Sequence, residues 1–330
     1  MDLIKYLSFR KIRLSLLLLI SYYISYFLKK NIRWGRYVAL SVEPSNRCNL
    51  SCPECPTGTQ SLSRGKGELS LKDLKKILES KSKDLLYLNF YFQGEPFLNR
   101  KLTDMVRMAS DEGIYTSVST NAQQIDRIEA KKIVESGLNR IIISIDGTTQ
   151  DVYEKYRVGG RLDSVIQAAK NIILEKKNSR SLFPKVVFQF LVFKHNEHQI
   201  ADIKQLAKQI GVDKVEIKTA QIYNFQTNTS SIPSIDKYSR YKKDDKGVYR
   251  IKNKMPNKCW RMWHSAVITQ DLDLLPCCYD KDASYKLGNL NKKSFLEIES
   301  GREYEKFRKE IAKRRSSISI CRNCGEHLSL

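Results

Sequence analysis

Residues 37–220 are written in two alternating rhythms of apolar positions. Short aliphatic and aromatic runs at 37–42, 85–92, 114–119, 140–145, 186–193 and 213–218 predict six strands. Between them, at 71–80, 101–110, 127–135, 162–176 and 200–210, apolar residues return every three or four positions and predict helices. Leu69-Ser70 followed by Asp73 supplies a start for the first of these helices. Strands that alternate with helices run parallel through right-handed crossovers, and a barrel or partial barrel is their natural closure.

The rhythm differs at both ends. Within residues 1–36, the run 14–28 (LSLLLLISYYISYFL) is flanked by Arg10, Lys11 and Arg13 on one side and by Lys29 and Lys30 on the other. It is shorter than the roughly 20 apolar residues that span a bilayer, and no small-residue cleavage site follows it. Two readings stand: a helix packed against the body of the protein, or an interfacial helix with Tyr22, Tyr23 and Tyr26 at headgroup depth. Residues 221–258 are polar and turn-rich and read as a linker or covering segment. Residues 259–330 read as a small second module, with a hairpin of 266–269 and 272–276 about Gln270-Asp271, then a basic helix at 300–315.

Charge and cysteine usage narrow the picture. Lys and Arg total 58 against 36 Asp and Glu, an excess of +22 that favours anionic partners: nucleic acid, an anionic membrane, an acidic peptide, or phosphorylated or carboxylated small molecules. With 41% hydrophobic residues the chain reads as globular, not disordered. The eight cysteines fall in two clusters far apart, which points to metal rather than a disulfide framework and to a reducing, cytoplasmic setting.

Cys48-x3-Cys52-x2-Cys55 follows the first predicted strand. Three thiolates at this spacing can hold three irons of a [4Fe–4S] cluster and leave the fourth open. Structural zinc needs a fourth ligand, and no His lies nearby. Spacing alone leaves the metal arguable. In this context the sequence resembles the radical S-adenosylmethionine (SAM) superfamily over roughly residues 37–220, which implies a partial (βα)6 parallel barrel whose open iron binds SAM. Gln93-Gly94-Glu95-Pro96 is similar to the family's GGEP motif, so that Glu95 would accept from the SAM amino group; by itself Gly94-Glu95-Pro96 also reads as an ordinary turn. Ser119-Thr120-Asn121 and Ser144-x-Asp146-Gly147, past the third and fourth strands, resemble the family's polar contacts to the SAM carboxylate and ribose, with Ser144 equally a core position. Tyr156-Arg157-x-Gly159-Gly160 resembles a recurring loop, and Glu54 departs from the aromatic residue usual before the third cysteine. The resemblance implies one-electron cleavage of SAM to a 5′-deoxyadenosyl radical that abstracts a substrate hydrogen, with an electron donor such as a flavodoxin or ferredoxin.

Cys259, Cys277, Cys321 and Cys324 supply four further thiolates, a set that suits zinc or an iron–sulfur cluster equally well. Behind such a barrel they resemble the auxiliary [4Fe–4S] region of SPASM and twitch proteins, in a shortened form, with Leu272 where the hairpin usually carries Gly. Cys278 is the spare thiol: an alternative ligand, a hydrogen-transfer group and the one catalytic candidate, or an inert buried cysteine. A fully Cys-ligated auxiliary cluster suits electron transfer. The resemblance therefore implies a dehydrogenase-like oxidoreductase. An anionic sugar-, glycan- or lipid-linked substrate is preferred to a leader-guided peptide, because only about 36 residues precede the barrel. A peptide or protein maturase is the alternative. A non-enzymatic basic module binding nucleic acid through Arg302, Lys306, Arg308, Lys309, Lys313, Arg314 and Arg315 is the second. His195, His198, His264 and His327 read as surface or packing residues.

Overall fold

Alternation within the strands decides which face each one buries. In a computed structural model describing residues 3–326, β1 (Ala39–Val42), β2 (Tyr87–Phe90), β3 (Tyr115–Thr120), β4 (Arg140–Ser144), β5 (Lys185–Val192) and β6 (Lys214–Thr219) follow one another, each parallel to the last. Leu40, Val42, Leu88, Phe90, Val118, Ile141, Ile143 and Phe188 are buried towards the helices. The register lines up the opposite set, Ser41, Asn89, Ser117 and Arg140, in one row across four strands. This second face is the interior of the curved sheet, and it is polar.

The crossovers are α2 (Leu71–Lys81), α3 (Leu102–Asp111), α4 (Arg127–Glu135), α5 (Gln150–Glu154) with α6 (Leu162–Asn178), and α7 (Ile200–Ile210); α1 (Phe9–Leu28) precedes them all. Each buries its apolar stripe, as in α2 with Leu74, Ile77 and Leu78 and in α3 with Met105, Val106 and Ala109. Ser70 caps α2 by accepting from Asp73 N, as its sequence predicts. α1 is longer than the predicted apolar run because Ser8 caps it one turn earlier, so Arg10, Lys11 and Arg13 fall inside the helix.

The segment after the barrel is more ordered than its polar sequence suggests. It contains a short hairpin, β7 (Tyr241–Lys243) and β8 (Tyr249–Ile251). Next come α8 (Arg261–His264), β9 (Ser265–Ile268), β10 (Asp273–Leu275) and β11 (Gly288–Asn289), then α9 (Phe295–Glu299) and the basic helix α10 (Arg302–Arg314). The predicted 266–276 hairpin is β9–β10, and it does not stand apart: β9 pairs parallel with β1, extending the barrel sheet to nine strands. Its edges are β11 and β6, so the barrel is partial. Leu272 sits in the β9–β10 turn at φ +69°, a region costing a non-glycine residue roughly 1–2 kcal/mol. Its side chain is 3% exposed, and burying a leucine returns about 1.5–3 kcal/mol, enough to hold the turn without glycine.

Barrel and C-terminal region meet at a buried ion pair. Lys81 Nζ lies 2.9 Å from Glu299 Oε2, with both side chains almost wholly buried. The other oxygen of Glu299 accepts from Tyr37 N at 3.1 Å and faces Arg33 at 3.6 Å. Glu299→Gln should therefore destabilise the protein by about 3–5 kcal/mol, because it strands a buried ammonium. Lys81→Met with Glu299→Leu should recover most of that loss. Urea midpoints decide it: a Glu299→Gln protein indistinguishable from the parent would show that the pair holds nothing.

Candidate functional site

The site is built in the loops past the C-terminal ends of the strands. The longest, between β1 and α2, carries the first three cysteines and folds back on itself. A Cβ at Gly58 would stand 2.6 Å from Cys52 N and O, and one at Gly94, which lies at φ +75°, 2.4 Å from Ser45 O. Gly94 thus lets the Gln93–Pro96 turn press against the cysteine loop, and Glu95 N donates to Arg47 O at 2.7 Å. Beneath them Leu50, Cys52, Tyr156, Phe193, Ile222 and Tyr241 form one apolar cluster against which Cys48 and Cys55 also pack. Ile222 and Tyr241 belong to the 221–258 segment, so part of that segment packs over the loop. Cys52 is buried in this cluster, and Cys48 and Cys55 are half-buried at its rim.

These residues fit an iron–sulfur cluster. Burial, reinforced by Glu95 and the other two cysteines, raises the Cys48 thiol to about 11, so the three sulfurs are within electrostatic reach of one another. Donors already point at them. Leu50 N lies 3.5 Å from Cys48 Sγ, Asn121 Nδ2 3.8 Å from the same sulfur, and Arg157 Nη1 3.9 Å from Cys52 Sγ. Such contacts stabilise thiolate bound to iron. Among the described residues, no three His, Cys, Asp or Glu side chains converge as the ligands of a single ion would.

Around the loop the predicted polar residues divide by what they hold. Glu95 is buried and accepts from Thr120 Oγ1 at 2.7 Å, Phe97 N at 3.1 Å and Asn121 N at 2.7 Å. Burial raises its pKa while these donors lower it. Three of about four acceptor positions are filled, leaving one on Oε2. Asn121 also donates to Asn49 Oδ1 at 2.8 Å. Ser119, next to last in β3, and Ser144, the last residue of β4, lie on the interior face. Asp146 is fully buried, with Oδ2 2.6 Å from Arg157 Nε and Oδ1 accepting from Leu191 N at 2.6 Å. Its reach towards the loop runs through Arg157. Glu54 accepts from Tyr223 N at 2.9 Å and from Asn228 Nδ2 at 3.1 Å, which brings the Tyr223 ring close enough to Cys55 for the thiol to raise its pKa further. An aromatic group is thus supplied from the covering segment, beside the position where the sequence lacks one.

The second group of cysteines also assembles. Cys259, Cys321 and Cys324 are buried around Arg315, which is 1% exposed and donates through Nη2 to Cys324 Sγ at 3.3 Å. Burial raises the Cys321 thiol to about 11, with Cys259 and Cys324 adding to the rise and Arg315 opposing it. Cys277 feels Cys259 and accepts from Tyr279 N at 3.5 Å. Its neighbour Cys278 packs instead with Phe92, Val267 and Leu275 at the barrel mouth. A hydrogen bond from Cys277 holds the Cys278 thiol low, against its burial, and Arg261 and Lys281 help.

Sequence reasoning passed over the residues that join the two groups. Arg64 grips Glu43, the residue after β1, through two bonds of 2.6 and 2.5 Å, and donates to Lys281 O at 2.9 Å and Gln270 Oε1 at 3.1 Å. Ser63 binds Asp282 at 2.6 and 2.7 Å. Lys281 then lies between the groups, over the Tyr223 ring at 4.9 Å and within the field of both Cys55 and Cys278. Inside the barrel, Asn89 Oδ1 and Ser117 Oγ are buried without a partner. The lone Asn in an otherwise apolar strand was the available signal. The basic helix does not present one cationic face: Arg308 and Arg315 are buried, while Lys309 and Arg314 pair with Glu305 and Glu310 at 2.7 and 2.8 Å. His327 lies outside the described residues.

Comparison with known proteins agrees with this architecture. Residues 42–207 match the radical SAM superfamily, and residues 259–325 match SPASM, an iron–sulfur cluster-binding domain. A PqqA peptide cyclase of Bradyrhizobium diazoefficiens is 28% identical over 193 residues, 58% of this chain and 49% of the relative. The chain thus spans about half the length of the curated relatives it matches. Streptococcus suis SuiB, solved bound to S-adenosylmethionine, superposes with a TM-score of 0.64 at 18% identity, covering 88% of this chain and 71% of that one. BtrN, solved with AdoMet and 2-DOIA, gives a TM-score of 0.55 at 18% identity over 88% and 94%.

Two outcomes follow for the thiols. Cys277→Ala should lose the iron of the second site, whereas Cys278→Ala should retain it; the reverse pattern in iron analysis would exchange their roles. Cys48 and Cys321, raised to about 11, carry their protons at neutral pH. Cluster binding must displace those protons, so apparent affinity should climb as pH rises towards 11 and fall as it drops. Loading in weak buffer that releases no acid would contradict this.

Proposed function

Because the chain belongs to the radical SAM superfamily, we propose that it is a maturase that modifies an acidic stretch of a peptide or protein by hydrogen abstraction. The observation that carries this reading is the similarity, across the barrel, to relatives named as peptide cyclases. It displaces the anionic sugar-, glycan- or lipid-linked substrate favoured on sequence. That preference rested on the short segment before the barrel, and a peptide can be held without a leader-binding domain.

The chemistry at the barrel mouth supports a peptide. Among the described residues no strand lies beyond β6, and apart from Thr219 O, which accepts from Arg240, its outer backbone groups could pair with an extended chain as a further strand. Lys281 and Arg240 border the mouth, while nearer the base Lys214, Lys218 and Arg140 gather around a single carboxylate, Glu216, at 2.8, 3.5 and 2.9 Å, three cations to one anion. This excess of cations suits acidic side chains. Asn89 Oδ1 and Ser117 Oγ, unpaired inside the barrel, offer hydrogen bonds to a substrate group that enters it.

In this reading Cys48, Cys52 and Cys55 hold the first [4Fe–4S] cluster, and Cys259, Cys277, Cys321 and Cys324 the auxiliary one. Gly94, Glu95, Pro96, Ser119, Asn121 and Ser144 bind SAM directly. Asp146 acts at one remove by holding Arg157, and Tyr223 lies where a flat base can stack. Bound together, cluster and SAM supply a 5′-deoxyadenosyl radical for hydrogen abstraction. The protein's own part is to exclude water with the 221–258 cover, to orient the reactants, and to keep charge balanced with Arg157 and Arg315. The auxiliary site, with all four ligands from protein, suits electron transfer during a two-electron oxidation, and Cys278 at the mouth is placed to exchange a hydrogen with the substrate. A flavodoxin or ferredoxin, both acidic, would suit the basic surface as electron donor, and a cytoplasmic setting suits eight free cysteines.

Anaerobically loaded protein with SAM and a reductant should form 5′-deoxyadenosine, and Cys48→Ala should abolish it. Acidic peptides should stimulate this turnover and leave with a changed mass. Stimulation by sugars or glycans but not by peptides would return the substrate to the carbohydrate class.

A further inference from the structure

α1 has two apolar faces and uses only one of them. The inward face (Leu18, Ser21, Tyr22 and Ser25, with Lys11) is fastened to the body of the protein. Lys11 Nζ donates to Gly113 O at 2.9 Å, Trp263 Nε1 to Ser21 Oγ at 3.1 Å, and Arg10 pairs with Asp84 at 2.7 Å. The outward face repeats every three or four residues through Phe9, Ile12, Leu16, Ile20, Tyr23 and Phe27, and every one of these is exposed, Phe9 by 84% and Phe27 by 73%. A helix of 20 residues is about 30 Å long, so this stripe is far larger than scattered surface apolar residues would make.

A second, independent feature lies where the helix ends. α1 stops at Lys29, and there it meets residues 257–263 and α10 around a cleft. Tyr22, Trp263 and Ile311 form its apolar walls, while Lys29, Lys30, Lys258, Lys313 and Arg308 supply cations, and no Asp or Glu lines it. Arg308 is 7% exposed, yet among the described residues it has no carboxylate partner. Its Nε donates to Asn31 Oδ1 at 2.7 Å, its guanidinium lies 4.1 Å from the centre of the Tyr304 ring, and its Nη1 is buried with nothing to bind. A buried, unpaired guanidinium costs several kcal/mol, and a phosphate oxyanion is the ligand that relieves it.

We propose that α1 and this cleft together bind the surface of an anionic phospholipid bilayer, the Phe9–Phe27 stripe lying in the interface and a headgroup phosphate entering beside Arg308. The fastened inward face keeps the helix parallel to the membrane instead of across it. Both ends of α1 are basic, with Arg10 and Arg13 at one and Lys29 and Lys30 at the other, so two copies packed through their stripes would bring like charges together in either orientation. An anionic lipid surface meets both ends favourably. The helix is anchored at Asp84, Gly113 and, through the adjoining Tyr6 hydroxyl, Asn139, which directly precede or lie near the starts of β2, β3 and β4. The bilayer therefore meets the base of the barrel, and the first cysteine loop at the opposite end faces water, while Cys259 of the second group lies along the cleft. Substrate arrives from the aqueous side.

Flotation of the full, cluster-loaded chain tests this. Vesicles of equal parts phosphatidylcholine and phosphatidylglycerol should carry the protein upward, and vesicles of phosphatidylcholine alone should not. Phe9→Ser with Phe27→Ser, both at exposed positions, should reduce binding more than tenfold. Lys30→Glu and Lys313→Glu at the rim, and Arg308→Gln within the cleft, should each reduce it about fivefold or more. All variants should still form 5′-deoxyadenosine, which separates this proposal from the reading of the active site. Absence of flotation, or equal flotation on both vesicles, overturns it. So does stabilisation by inorganic phosphate without flotation, or a dimer that dissociates in the Phe9→Ser/Phe27→Ser variant without binding vesicles.

Discussion

The buried contact between Glu43 and Arg64 holds the functional end of this protein together. Glu43, the residue after β1, has no exposure, and Arg64 lies across the cysteine loop at the far side of the cluster motif. Burial alone would favour a neutral carboxyl at Glu43; the two short guanidinium bonds, the Gln270 N–H and the Gln93 N–H oppose that. A charge pair in so dry a place is tolerable only when its geometry is bidentate and its remaining donors are used. Arg64 meets both conditions, because Nε donates to Lys281 O while Nη1, already on Glu43, also donates to Gln270 Oε1. One side chain thus ties three parts of the chain to each other: the first cysteine loop, the β9–β10 turn and the segment after Cys277.

That tie explains why the C-terminal hairpin is not a detachable module. β9 pairs with β1 directly below Glu43, and Glu43 N donates to Ile268 O at 2.9 Å. The second cysteine group is consequently built on the same sheet as the first. Lys281 records the result, since it feels both Cys55 and Cys278 although 226 positions separate it from the former in the chain. Electron exchange between two such sites requires a fixed separation, and a shared sheet supplies it more firmly than two domains joined by a linker.

Much of this was legible in the amino-acid pattern, and the reasons are local. The strand and helix periods mark all six barrel units, and the strand ends locate the loops, because a parallel sheet covered by helices needs apolar runs of the kind found at 140–145 and 186–193. The cysteine spacings identify both candidate sites. What escaped is non-local. β9 adding to β1 leaves no local trace, since its sequence suits any hairpin. The β7–β8 cover reads as linker because only Tyr241, Tyr249 and Ile251 turn towards the cysteine loop while the rest stays polar. Arg64 and Lys281 look like two of 58 cations until the fold brings them together. The preference for a sugar-type over a peptide substrate is weak for a different reason: it leaned on the length of a segment, and length says nothing of what a sheet edge can bind.

The direction of a parallel barrel also bears on how the proposed membrane face and the SAM-binding end would share one protein. Every strand begins at one end and finishes at the other, so the loops that carry chemistry are gathered at the finishing end and the starting end is left structurally idle. An apolar stripe placed near the cysteine loops would expose the oxygen- and water-sensitive site to disordered lipid, and would compete with substrate for the mouth. Placed at the starting end, where Tyr6 packs against Tyr115 with ring centres 5.6 Å apart and Lys11 binds Gly113 O, α1 can change its surroundings without moving a cysteine. Its C-terminal end comes nearest to function, since Tyr22 packs edge-on against Trp260 and Trp263, just beyond Cys259. Lipid contact at that end would be felt first through those indoles, at the auxiliary group and not at the SAM-binding loop.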